Sequence, residues 1–428
     1  MRVFVNPDKN EWSSILKRPT MDMETIEARV RPVMDEVSAN GDAALSKFTE
    51  QFDGVSVSDF LVTDEELDKA EQELDAELKT AILTAKSNIE AFHKAQEQDI
   101  LAVETMPGVK CFRKSVPIQK VGLYIPGGTA PLFSTVLMLG VPAKIAGCKE
   151  IVLCSPPNKE GRIHPAILYT AKAIGVTKVY KVGGAQAIAA LTYGTESIPA
   201  VSKIFGPGNQ YVTAAKQLAT RHGLAIDMPA GPSEVAVYAD ETANPGFVAA
   251  DLLSQAEHGA DSQVVLVATD EAIVNDVQVE IEKQLQDLPR AQFASQALEN
   301  SVAVVLPQQA AVNLLNEYGA EHLILSVNKP WEIADQIVNA GSVFIGHLTP
   351  ESAGDYASGT NHTLPTNGYA KMYSGVSLDS FVKKITYQEI SPEGLKVLGP
   401  IVEKMAEAEE LQAHKNAVSI RLKSLNNV

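Results

Sequence analysis

The sequence predicts a parallel α/β protein built from two units. Three patterns carry that expectation. From residue 120 onward, short apolar runs end in Gly or Pro and lead into helix-like stretches. A second series of such runs begins at residue 263. The first 120 residues carry instead the three-and-four spacing of amphipathic helix.

In that first part Thr63 and Glu66 stand three apart, as in a capping box. Leu67, Leu74, Leu78, Ile82, Ala85, Ile89 and Phe92 then share one face of a single long predicted helix. Further on, residues 121–125 run into PGG, 151–154 into SPP, 178–182 into GGAQ and 203–205 into GPGN. Parallel sheets bind ligands at the carboxyl ends of their strands, and small residues there let a ligand approach the backbone. Residues 263–268, 302–306, 323–327 and 342–345 read as further buried strands separated by helices, and 400–425 as a terminal amphipathic helix.

Composition narrows the class. The 428 residues carry 36 Lys+Arg against 53 Asp+Glu, a formal charge of −17. That argues against nucleic acid as a partner, since duplex binding needs clustered cations to displace counterions. An anionic cofactor stays possible, because backbone N–H groups hold phosphates without net positive charge. With 45% apolar and 21% charged residues the chain is globular in type. Cys111, Cys148 and Cys154 are too few for a disulfide framework and point to a reducing compartment, with Cys148 and Cys154 read as buried thiols. The N-terminus lacks the pattern of a signal peptide. The most apolar stretch, 131–147, contains Lys144 and is shorter than the ~20 residues a membrane helix needs. The expected location is the cytoplasm, with no membrane partner.

Five of the eight histidines, His258, His322, His347, His362 and His414, fall in the C-terminal half beside acids or amides. His93, His164 and His222 lack such company and read as structural. Gln255 and His258 share a helix face at i and i+3, suiting metal or substrate, although a polar helix end capped by Gly259 has the same spacing. Glu321 and His322 are adjacent at the start of a strand, where a carboxylate and an imidazole can divide general-base work. Strand alternation would send one of them to solvent. Residues 341–366 form a long stretch of small, hydrogen-bonding residues and read as a site loop. It offers Asp355 as a hard oxygen ligand, His362, and His347 as a further possible ligand. His414 lies on the terminal helix, where Glu410 is its i−4 neighbour and Glu409 falls on another face. No G-x-G-x-x-G, P-loop, C-x-x-C or H-E-x-x-H motif is present.

Together, YIPGGTAPLFSTVLMLGVPAK, VGGAQAIAALTYGTESIP, KIFGPGNQYVTAAK, IDMPAGPSEV, ADLLSQAEHGADSQ, GSVFIGHLTPESAGDYASGTNHTLPT and AEAEELQAHKNAV resemble the histidinol dehydrogenase family, in family order from residue 120 to the C-terminus. The resemblance implies oxidation of L-histidinol to L-histidine through L-histidinaldehyde, the last steps of histidine biosynthesis. It implies NAD⁺ as oxidant, one Zn²⁺ per subunit, and a homodimer whose active sites are shared between subunits. Carried over residue by residue, it implies Gln255, His258, Asp355 and His414 as zinc ligands and Glu321 and His322 as catalytic bases. Tyr124, Gln186 and Asn209 become NAD contacts. Ser233, His362 and Glu409 join the ligands and His322 as substrate contacts, Glu409 being preferred to Glu410 on the resemblance alone. The implied fold is two Rossmann-like parallel-sheet units of related topology with small helical N- and C-terminal segments. The implied division is 1–21, a helical segment; 22–122 with 239–375, a discontinuous α/β domain carrying the zinc and substrate site; 123–238, an inserted NAD-binding domain; and 376–428, a tail. The N-terminal segment and the tail are expected to pack on the partner subunit. The rival readings are a family paralogue that oxidises a different alcohol, such as a sulfonated diol, with the same metal and cofactor; a two-domain α/β solute-binding protein; and a zinc hydrolase using Glu321.

Overall fold

The chain opens with a strand. β1 (Arg2–Val5) leads through a 3-10 turn into the short helix α1 (Trp12–Ile15). The N-terminal segment is therefore not simply helical, and Trp12, Ile15 and Leu16 are buried in this chain's own core. The computed structural model describes residues 1–19, 23–127 and 130–426, so the 21/22 boundary and Gly128 of the PGG motif lie outside the described residues.

α2 (Met23–Asp53) is two helices joined at Gly41, whose φ of 51° a glycine tolerates best. α3 (Asp64–Glu73) starts at the expected box: Thr63 Oγ1 accepts from Glu66 N at 3.2 Å, and Glu66 Oε2 from Thr63 N at 2.9 Å. The single long helix expected here breaks. Leu74 is extended, and Asp75 caps a new helix, α4 (Ala76–Lys94), by accepting from Leu78 N at 2.7 Å. A second capping side chain offered the backbone an alternative to continuing. On α4 Phe92 is exposed and His93 takes the buried place instead. A hairpin unread in the sequence follows, β2 (Leu101–Met106) and β3 (Val109–Pro117).

Two parallel sheets come next. The first is formed by β4 (Lys120–Tyr124), β5 (Glu150–Ser155), β6 (Lys178–Lys181), β7 (Lys203–Phe205) and β8 (Ala225–Ile226), in the order β6-β5-β4-β7-β8. Its helices are α5 (Phe133–Ala146), α6 (Pro165–Ala173), α7 (Gly184–Tyr193) and α8 (Gln210–Thr220). The second has β9 (Glu234–Ala239), β10 (Gln263–Ala268), β11 (Val302–Val305), β12 (His322–Ser326) and β13 (Ser342–Ile345), in the order β1-β11-β10-β9-β12-β13. Its helices are α9 (Pro245–Ala256), α10 (Glu271–Leu285), α11 (Ala291–Glu299), α12 (Gln308–Tyr318), α13 (Pro330–Ala334) and α14 (Glu351–Tyr356). Apart from β1, each sheet runs third, second, first, fourth, fifth in its own chain order, the doubly wound arrangement. The expected related topology holds.

Side chains alternate between two cores in the six-stranded sheet. Val235, Val237, Val264 and Leu266 face one way, and Ala236, Tyr238, Val265 and Val267 the other. Both faces are covered, which is why these strands read as continuous apolar runs. Cys148 and Cys154 are buried free thiols.

Three observations bear on the organisation of the chain. Residues 122/123 and 238/239 cut β4 and β9, so those boundaries sit inside hydrogen-bonded strands. The helices α2–α4 do not join the six-stranded sheet. Their apolar faces (Ile26, Val30, Phe48; Leu67, Ile82, Ile89) pack into the two cores of the five-stranded sheet. The chain divides instead into a large unit, Met1–Gln96 with Ile118–Phe381, and a small one, Glu97–Pro117 with the chain from Val382.

The small unit is an antiparallel sheet in the order β14-β3-β2, where β14 is Val382–Ile390, and a helical hairpin of α15 (Pro392–Ala408) and α16 (Gln412–Asn426). The terminal helix expected over 400–425 is thus two, turning at Glu410 with φ of 59°. Among the described residues no helix is long and apolar enough to cross a membrane.

Candidate active site

The catalytic candidates gather at the amino-terminal edge of the six-stranded sheet. Such sheets bind ligands at the opposite edge, so this placement departs from the general rule. His322 opens β12, paired with Val235 on β9 and Ser342 on β13. Alternation does not expose either member of the Glu321–His322 pair: both are buried, because neighbouring elements close over the edge. Glu321 Oε2 accepts from the main-chain N–H of Glu234 at 3.0 Å. The C-terminal turn of α9 delivers Gln255, whose Nε2 lies 2.9 Å from His322 Nδ1 and donates to the Glu234 carbonyl at 3.4 Å. α14 delivers Asp355, whose Oδ1 is 3.2 Å from His322 Nε2.

His258, just past α9, is exposed in the single chain and has Asp355, His322 and Arg290 as its charged neighbours; desolvation by the surrounding atoms lowers its pKa. His362 turns its Nδ1 to the Asp355 carbonyl at 2.8 Å and its Nε2 to Thr135 Oγ1 at 3.1 Å. Ser233 directly precedes Glu234 at the same edge, half-buried. The loop reading of 341–366 places Asp355 and His362 correctly, although β13 and α14 interrupt it.

The electrostatics are those of a buried anionic cluster. Burial pushes the carboxyls of Glu321 and Glu351 up to about 8 and that of Asp251 up to about 7. Burial opposes the charged form of His322 too, but Glu321 and the Asp355 contact outweigh it and push the imidazole up to about 10. For Asp355, burial is outweighed by the His322 bond and charge, which hold its carboxyl below the ordinary range. Glu351 Oε2 is buried without a hydrogen-bond partner. Four carboxyls therefore crowd around too little positive charge, which suits a divalent cation. The donor set also fits: one imidazole, one carboxylate and one amide, with Gln255 Nε2 engaged by His322 and Oε1 left as the other limb of the amide. No three of His, Cys, Asp and Glu are arranged to hold a metal among the described residues. The fourth expected ligand, His414, and the expected contact Glu409 belong to the small unit, His414 exposed on α16 and Glu409 capping α15.

His347 does not join this cluster. It lies at the carboxyl edge, with Nδ1 at 2.9 Å from Ser326 Oγ and Nε2 at 3.2 Å from Thr242 Oγ1. The three histidines read as structural behave so: His93 bonds the Ile89 carbonyl at 2.9 Å, His164 caps α6, and His222 packs edge-on against Tyr193. Sequence reading missed Asp251, Glu351, Thr135, Glu234 and Arg18. Asp251 and Glu351 had a signal, since each stands four residues before an expected ligand, Gln255 and Asp355.

A cleft of about 1010 Å³ opens at the carboxyl edge of the five-stranded sheet and is lined by all three expected dinucleotide contacts, Tyr124, Gln186 and Asn209. The Tyr124 hydroxyl, pushed up to about 12 by burial, accepts from Gly184 N at 3.1 Å. Asn209 caps α8, accepting from Tyr211 and Val212 N at 3.0 and 3.2 Å. The GPGN loop is held by a buried pair: Lys216 bonds Asp227 and donates to the Gly206 carbonyl at 2.8 Å, while Asp227 accepts from Gly206 N at 2.8 Å. Gly206 has φ of 137°, and a β-carbon there would strike the Tyr124 carbonyl.

The cleft fits a dinucleotide. Gln186 Oε1 and Ser155 Oγ are buried without partners, Arg29, Lys159 and Arg162 supply positive charge, and the helices α7 and α8 begin at its wall. The cleft and the catalytic cluster meet at the start of α5: Pro131, two residues before the helix, lines the cleft, and Thr135, on its first turn, bonds His362.

Residues 16–422 match the family model described as histidinol dehydrogenase. The chain is 59% identical over 426 residues to the histidinol dehydrogenase of Bacteroides thetaiotaomicron, covering 99% of this chain and 100% of that one. It is 53% identical over 423 residues to that of Yersinia pestis, covering 98% and 95%. Its fold matches the crystal structure of histidinol dehydrogenase from Elizabethkingia anophelis with a TM-score of 0.97 at 55% identity, over 100% of this chain and 99% of that one.

Proposed function

The chain belongs to the histidinol dehydrogenase family, and on that premise we propose that it oxidises L-histidinol to L-histidine through L-histidinaldehyde, in the cytoplasm, with zinc and NAD⁺. The observation that carries this reading is the convergence of Gln255, Glu321 and Asp355 on or beside the buried His322, one helix away from the dinucleotide-sized cleft.

Zinc held by Gln255, His258, Asp355 and the partner subunit's His414 would orient the imidazole and amine of the substrate, and NAD⁺ against Tyr124, Gln186 and Asn209 would accept hydride. His322, which Gln255 meets at Nδ1 and Asp355 at Nε2, takes the hydroxyl proton as a neutral imidazole. It does so in both oxidations and must shed the proton between them. Glu321, desolvated and held through Oε2, activates the water that converts aldehyde to gem-diol before the second oxidation. Ser233, His362 and the partner subunit's Glu409 contact the substrate. Acceptors of this kind suit a substrate carrying an amine and an imidazole.

The shared site is supported by what the small unit leaves uncovered. Val397, Ile401, Met405 and Ile420 on α15 and α16 are 49 to 62% exposed in the single chain, an apolar surface that a second copy would bury. The test is L-histidinol with NAD⁺, followed by NADH absorbance. Two NADH per histidinol consumed is the expected stoichiometry. No NADH, or one per substrate with aldehyde accumulating, refutes the four-electron reading.

A further inference from the structure

Behind Glu321 and Gln255 stands a buried ion pair that takes no part in the proton transfers. Arg18, just after α1, reaches Glu234 through Nη2 at 2.6 Å and Nε at 2.8 Å, and the two side chains are 17% and 3% exposed. The guanidinium lies 4.0 Å from the centre of the Tyr318 ring and donates to the Tyr318 carbonyl at 2.9 Å. The other carboxylate oxygen of Glu234 accepts from Asn367 N. Both oxygens are therefore held, one by a charged planar donor that is itself stacked and anchored.

Glu234 is the first residue of β9, directly after the Gly231-Pro232-Ser233 stretch, and the ladder to β10 begins beside it, where Gln263 N donates to the Ser233 carbonyl at 3.2 Å. Its main chain faces the catalytic cluster on both sides. The N–H donates to Glu321 Oε2 at 3.0 Å, and the carbonyl accepts from Gln255 Nε2 at 3.4 Å. Any drift of this residue moves the water-activating carboxylate and the ligand amide together.

We propose that Arg18 and Glu234 form a positioning pair that clamps the start of β9 and thereby aims the Glu321 carboxylate and the Gln255 amide. This rests on the reading of Glu321 as the group that activates water in the aldehyde step. Neither residue touches the substrate. Their role is to keep Glu321 Oε2 engaged so that its other oxygen meets the water at one fixed angle. A misplacement of about 1 Å at such a group can cost roughly a hundredfold in rate.

The test uses the zinc-loaded enzyme with Arg18→Met and Arg18→Lys, beside Glu321→Gln as a reference. Single-turnover oxidation of histidinol and of histidinaldehyde is measured separately. Zinc affinity is read by competition with a chromogenic chelator, and folding by circular dichroism. In R18M the aldehyde step is expected to fall by about tenfold more than the alcohol step, the scale of an imperfectly aimed base. Zinc affinity should weaken severalfold, and R18K should recover part of both losses. Equal losses in the two steps, or zinc affinity as in the wild type, overturn the proposal. If R18M does not fold, the same ratio in R18K decides, since that variant keeps the charge but loses the planar fork. If E321Q itself fails to separate the two steps, the reading of Glu321 falls. If E321Q separates them and R18M does not, the positioning role falls alone.

Discussion

Replacing Lys216 by Met tests how the GPGN loop is held. The Lys216 and Asp227 side chains are 4% and 1% exposed, and Lys216 also donates to the Gly206 carbonyl at 2.8 Å. Removing one member of a buried pair costs about 3–5 kcal/mol, because the other charge stays buried and unpaired. Asp227 keeps two main-chain donors, Gly206 N and Met228 N, each at 2.8 Å. Those bonds place the expected loss at the lower end, about 3 kcal/mol. The methionine fills most of the vacated volume, so the cavity contribution is small. Equilibrium unfolding in urea, with the slope unchanged, measures this directly. The loosened loop carries Asn209, so KM for NAD⁺ is expected to rise severalfold with kcat nearly unchanged, the signature of lost uniform binding. A stability loss below about 1 kcal/mol would refute the buried-pair reasoning. A fall in kcat at constant KM would refute the placement of the loop at the cofactor.

Three further outcomes follow from the site. Chelation that strips the metal should abolish turnover and zinc addition restore it; full activity in demonstrably metal-free protein would remove zinc from the mechanism. Glu321→Gln should spare histidinol oxidation and slow histidinaldehyde oxidation, whereas His322→Asn should slow both, measured by presenting each substrate alone. Co-expressed His322→Asn and His414→Asn chains should recover about a quarter of wild-type activity, because random pairing makes half the dimers hybrid with one intact site in two. Activity no higher than that of the parents would place His414 within its own chain's site.

The sequence alone determined the two-sheet parallel architecture, because strands covered on both faces leave continuous apolar runs ending in Gly or Pro. Residues 263–268 and 342–345 were legible to the residue as β10 and β13. Within the six-stranded sheet β9 went unread although EVAVYA is such a run, and so did the hairpin over 101–117, where residues 101–105 are all exposed and leave no buried face to read. Resemblance supplied the ligand and base assignments that spacing left open at Gln255, His258 and Glu321. Tertiary structure decided the rest. Which sheet edge carries the cluster depends on the last turns of α9 and α14 meeting the first residues of β9 and β12, a fact of packing between residues 21 to 121 positions apart. His347 faces Ser326 because it follows the carboxyl end of β13 directly, whereas His362 faces Asp355 because α14 stands between it and that strand. Arg18 and Glu234 meet across 216 positions. No local pattern can signal such a pair, since its stability comes from desolvation by elements distant in sequence, and that burial exists only once the sheet has formed.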